Sequence, residues 1–77
     1  MIKFYVETLN GSCESTTHGE GFYSMTEAWN FAMNKEFTSF FITQKTEAGK
    51  IMSKIHYYNY NGVWDGELIE YNWAIVG

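Results

Sequence analysis

Cys13 and His18, five residues apart in the stretch GSCESTTHGEG, carry the residue types of a thiol nucleophile and its base. Such a pair works only where a fold holds sulfur and imidazole within hydrogen-bond reach. A lone cysteine in a Gly- and Ser-rich stretch supplies no such constraint, so an ordinary thiol is expected. A metal would need Cys13, His18, His56 and nearby carboxylates to converge, and no CxxC or HxxxH spacing gathers them. His18 reads as a solvated loop residue and His56 as an exposed strand residue. Glu67 and Glu70 are close enough in sequence for paired acid–base work, but residues three apart on a regular strand point to opposite faces. The glycine-rich stretch also lacks the Lys-Ser/Thr of a phosphate-cradling loop. The expectation is no catalytic residue, no metal and no cofactor. A sheet with one helix, in a chain this short, leaves little room for a deep pocket.

Charge narrows the partners. Nine acidic residues against five lysines give a net charge of −4, and arginine is absent altogether. Arginine is the side chain best suited to gripping phosphates in bidentate fashion, and a negative chain repels them further, so direct nucleic-acid binding is not expected. The acidic residues could themselves imitate phosphates toward a basic groove. They are interleaved with lysines, however, and a local patch of Asp65, Glu67 and Glu70 within an aromatic interface fits the sequence better. No apolar run approaches the ~18 residues of a membrane span. The opening MIKFYVETLNG alternates instead of forming the greasy block of a signal peptide. With one cysteine no internal disulfide can form, which fits a reducing cytoplasm.

The elements that must position these residues follow from periodicity. Ile2, Phe4 and Val6 alternate with Lys3, Tyr5 and Glu7, predicting a half-buried strand. LNGSCESTTHGEG then reads as a long turn or loop, within which residues 14–17 pair as an irregular strand or not at all. Ser24 followed three residues later by Glu27 is a capping box, with Tyr23 placed to staple against Ala28. Met25, Ala28, Trp29, Ala32 and Met33 then recur at helical spacing, predicting a helix from Met25 to Glu36. TSFFITQKT and IMSKIHYYNY read as a hairpin closed near Ala48-Gly49. Asn61-Gly62 and Asp65-Gly66 are both type I′ turn signals. Asp65-Gly66 is the expected tip, with Asn61-Gly62 a bulge or widened loop and Glu67–Val76 the last strand. Short connections imply antiparallel neighbours. The predicted fold is a single α+β domain over residues 1–77. It is a two-layer sandwich of one helix on an antiparallel sheet of about four strands, in the order β-(β)-α-β-β-β.

A chain of 77 residues buries only about 60% of its unfolded surface, so each large apolar group matters. The 19% aromatic content compensates, since each such ring buries roughly 150–250 Å². Ile2, Phe4, Val6, Phe40, Ile42, Ile51, Ile55, Tyr57, Ile69, Tyr71, Trp73 and Ile75 assemble one apolar face for the helix stripe. The other face carries Lys3, Tyr5, Glu7, Phe41, Thr43, Lys45, Met52, Lys54, His56, Tyr58, Glu70 and Asn72. One helix cannot cover both faces. Phe31 raises the same question on the helix, where it lies off the stripe among Glu27, Asn30 and Asn34. Leaving a Phe exposed forfeits roughly 1.5–3 kcal/mol. Either the loop with Phe22 covers that ring, or it anchors a partner.

The helix start SMTEAWNFA, followed by a β-meander, together with a Phe-, Tyr-, Ile-, Asn- and Lys-rich composition without Arg or Pro, resembles the small acidic proteins of phages and mobile elements. That group includes anti-CRISPR and other anti-defence inhibitors. The resemblance implies a non-enzymatic, cytoplasmic protein that binds and blocks a host protein complex. The surface expected to do so is Phe31, Glu27 and Asn34 on the helix, or Tyr5, Phe41 and Tyr58 on the sheet with Asp65, Glu67 and Glu70. A small homodimeric bacterial protein that closes the same sheet face with a second copy is the alternative.

Overall fold

The computed structural model describes residues 2–12 and 14–76. Its elements are β1 (Lys3–Leu9), β2 (Ser15–Phe22), α1 (Met25–Asn34), β3 (Ser39–Lys45), β4 (Ile51–Tyr60), β5 (Val63–Tyr71) and α2 (Trp73–Val76). All strand pairs are antiparallel, in the order β2-β1-β3-β4-β5. The architecture is α+β, with five strands where about four were expected.

The additional strand is β2, which extends well beyond residues 14–17. The Asn10 side-chain carbonyl accepts the amides of Ser12 and Glu14 at 2.8 and 3.0 Å, closing the turn that starts the hairpin. Gly19 and Gly21 lie at φ +78° and +94°, and the β1–β2 register shifts between Phe4 and Val6. These bulges break the alternation that would have marked the strand in the sequence. Past them, Phe22 returns to pair with Phe4. His18, expected in a solvated loop, is half-buried on β2, with its Nε2 2.7 Å from Thr8 Oγ1 and its ring 4.9 Å from that of Phe37.

The helix starts where the capping signal put it. Ser24 is extended and its Oγ accepts the Glu27 amide at 3.2 Å, while the Glu27 carboxylate takes the Tyr23 amide at 3.1 Å. Tyr23, expected to staple against Ala28, is mostly exposed with the Lys3 ammonium 5.2 Å from its ring. The helix ends at Asn34, two residues before the expected Glu36. Glu36 turns left-handed at φ +59°, with its amide on Met33 O and the Phe37 amide on Ala32 O. That is a Schellman ending with glutamate where glycine is usual.

The β4–β5 tip is Asn61-Gly62, not Asp65-Gly66. Asn61 and Gly62 sit at φ +52° and +84°, and Tyr60 pairs with Val63 across them, a two-residue turn of the primed type. Asp65-Gly66 lies within β5, where Gly66 lets the Tyr57 ring pack close. A Cβ there would come 3.0 Å from Tyr57 Cε1. The last strand is displaced accordingly: it ends at Tyr71, and residues expected to extend it form α2, whose Ala74 amide is bound by Asn72 Oδ1 at 3.1 Å.

The core lies between α1 and the β1–β3 half of the sheet. Val6, Ala28, Ala32, Phe40 and Ile42 are buried there. Alanines on the helix allow close approach, and Trp29 reaches sideways with its ring 5.1–5.4 Å from those of Phe40, Tyr57 and Trp64. Such edge-to-face clusters add about 0.5–1.5 kcal/mol per pair beyond area burial. The short helix packs on β1, β2 and β3, so β5 is left mostly uncovered. Ile69 and Trp73, expected in the core face, are consequently exposed; Ile2, expected there too, is exposed just before β1, whereas Met52, expected on the mixed face, is buried.

Candidate functional site

Alternation along β1, β3 and β4 turns Tyr5, Glu7, Phe41, Thr43, Lys54, His56 and Tyr58 away from α1, and the ladder registers bring them together. Glu7 pairs with Phe41, Phe41 with His56 and His56 with Glu67, so one row crosses four strands. Phe41 and His56 stack with centroids 4.5 Å apart and planes 22° from parallel; Tyr58 continues the group 5.3 Å from His56. The Lys54 ammonium caps Phe41 at 5.0 Å, and Lys45 caps Tyr5 at 5.1 Å. All these rings are half-buried by their neighbours and half open to solvent.

The acidic residues border this group. The Tyr58 hydroxyl donates to Asp65 Oδ2 at 3.4 Å, Glu67 stands across from His56 and Glu70 across from Lys54. The expectation that Glu67 and Glu70 face opposite ways is corrected by a bulge. Between Lys54 and Ile55 the β4–β5 register shifts, an extra residue enters β5, and both carboxylates emerge on one side. Their charge acts on a neighbouring phenol. The Asp65 carboxylate, helped by partial desolvation and by Glu67, holds the Tyr58 phenol above its ordinary value. Burial alone raises Tyr57, on the helix side.

Ser39 Oγ lies 2.8 Å from His56 Nε2, the hydroxyl–imidazole contact that hydrolases use. Here it sits exposed on the face of the sheet, and among the described residues no hydrogen bond joins His56 to Glu67. The contact orients the imidazole over Phe41. A separate hollow of about 420 Å³, between the start of β1 and the β3–β4 turn, is lined by Lys3, Tyr5, Tyr23, Thr46, Glu47 and Gly49. No three His, Cys, Asp or Glu among the described residues are placed to hold a metal ion, and Cys13 lies outside them. No helix among the described residues is long and apolar enough to cross a membrane.

The helix-side candidates are engaged differently. Phe31 is half-buried against Phe22 of β2, with centroids 5.1 Å apart and the Lys35 ammonium 5.5 Å above it. The chain's own β2 therefore meets this ring. The Glu27 carboxylate serves the helix start, and Asn34 is exposed at the helix end.

Sequence reading placed Tyr5, Phe41, His56 and Tyr58 on one face but did not find the Ser39–His56 contact or the buried Glu7. That carboxylate is 7% exposed and accepts the hydroxyls of Thr43 and, at 3.2 Å, Thr17. Strand register is the missing signal: Ser39, Thr17 and Thr43 become neighbours only once the ladders are set. No protein-family model, curated protein or solved structure matches the chain.

Proposed function

We propose that this is a small non-enzymatic protein-binding protein that occupies a host protein or protein complex through the open face of its sheet. The type of action proposed is that of a phage-encoded inhibitor, blocking a defence or nucleic-acid-processing complex in the cytoplasm. The observation that supports this reading is the row of Phe41, His56 and Tyr58. Phe41 stacks on His56 and Tyr58 lies tilted beside it, all half open to solvent, with lysines on one side and carboxylates on the other. Aromatic groups ringed by charge are the usual anchors of protein interfaces. Phe31 is the weaker anchor, because Phe22 already covers part of it.

Capture from a bacterial lysate on the immobilised protein, with mass-spectrometric identification, tests this. The expected result is a defined partner that is lost on Phe41→Glu or Tyr58→Lys, with the fold intact by circular dichroism. Capture unaffected by both substitutions removes the open face from consideration.

A second reading is a homodimer closed through the same face. In its favour, Lys3, Lys45 and Lys54 lie on β1, β3 and β4, whereas Asp65, Glu67 and Glu70 lie on β5. A two-fold axis could set the basic half of one copy on the acidic half of another. Sedimentation that shows a dimer stable to dilution supports this reading over the first.

A further inference from the structure

The two edges of the sheet are built differently. β2 is interrupted by two left-handed glycines and a register shift and carries mostly polar side chains, which are devices that discourage another strand from pairing. β5 pairs with β4 without a break over its first six residues, from Val63 to Leu68, and its charged side chains there, Asp65 and Glu67, are confined to the open side. Its outer side is an edge, so alternate residues turn N–H and C=O groups away from the sheet. Large apolar side chains gather there too. Tyr60, Val63, Leu68, Ile69 and Trp73, on or beside β5, are 51–72% exposed. α1 packs on the other half of the sheet and leaves them uncovered.

The side chains of β5 also specify what would fit. Trp64 and Leu68 lie on the helix side, while Asp65, Glu67 and Glu70 lie on the open side, and β5 contains no lysine. An added strand alternates its own side chains between those two environments. A second copy pairing edge to edge would place its three carboxylates beside the same three, and like charges across a ladder are destabilising.

We propose that β5 is a docking edge for an extended segment of a partner protein in which apolar and basic residues alternate, added to the sheet as a sixth strand. Main-chain hydrogen bonds would supply affinity, and the apolar–basic alternation would supply register and selectivity. This inference goes beyond the open-face reading, since it involves the backbone of β5 and not the rings of β3 and β4.

Three nine-residue peptides test it against the 15N-labelled chain: alternating Val/Lys, alternating Val/Glu, and Val/Lys with alternate backbone amides N-methylated. The first is expected to shift the β5 amide resonances and slow their exchange with solvent, more weakly as salt is raised. The other two, and the first peptide on a Leu68→Lys variant, are expected to bind at least about tenfold more weakly. No shift with the first peptide at about 1 mM overturns the proposal. So does equal binding of the N-methylated or acidic peptide, a response centred on Phe41 and His56, or β5 protection that grows with protein concentration alone, which marks a second copy as the occupant. The peptide response reads β5 alone, whereas loss of lysate capture on Phe41→Glu reads the open face, so the two ideas fail separately.

Discussion

Thr43, fully buried on the side of the sheet away from α1, donates its hydroxyl to the carboxylate of Glu7, two residues along the neighbouring strand from its own ladder partner Tyr5. Hydrogen bonds to a buried charged group contribute more than neutral ones, about 1.5–3 kcal/mol. Thr43→Val keeps the shape and removes the donor, so a loss of about that size is expected in urea unfolding. Thr17→Val, whose hydroxyl is more exposed, is expected to cost less. Equal losses would mean that burial does not govern this pair.

Glu36 occupies a left-handed position that suits glycine, and L residues there cost roughly 1 kcal/mol. Glu36→Gly is expected to stabilise the chain by about 0.5–1 kcal/mol, since the strain relieved exceeds the added freedom of the unfolded chain. For a domain this small, that is a rise in Tm of about 2–8 °C by calorimetry.

Tyr58 is held neutral by the neighbouring Asp65, so its phenol titrates above the ordinary 10.0. The stabilisation that accompanies this is present in full below the unfolded value and disappears as pH rises through the folded one. In spectra of the 13C-labelled tyrosines, the Tyr58 transition is expected to lie above 10.0. Asp65→Asn is expected to bring it down toward 10.0.

Gly66 marks a close approach rather than a turn. Gly66→Ala drives a methyl against the Tyr57 ring, a crowding expected to cost about 1–3 kcal/mol in chemical denaturation. Were Asp65-Gly66 a solvent-exposed tip, the same change would scarcely encounter that ring.

That glycine illustrates what the sequence could and could not disclose. Ser24 and Glu27 announced the helix start because capping is local, and the alternation in IMSKIHYYNY set β4 from Ile51 to Tyr60. Asp-Gly was misleading because a glycine required for packing against a distant tyrosine looks the same in a string of letters as one required for a turn. β2 was hidden because Gly19 and Gly21 interrupt its period, and Glu67 joined Glu70 on the open face because of a bulge that no residue type signals. The open face was half legible. Which rings share a side follows from period two, whereas the meeting of Ser39 with His56 depends on how two strands slide past one another.

The position of β1 inside the sheet has a kinetic consequence. β1 with β2, and β3 with β4 and β5, are each built from turns that close between near neighbours, but the seam between β1 and β3 joins residues as far apart as Lys3 and Lys45. Closing that separation carries the largest loop-closure cost in the sheet, and α1 lies within the segment that must be closed. The long-range part of the sheet topology is therefore concentrated in a single seam.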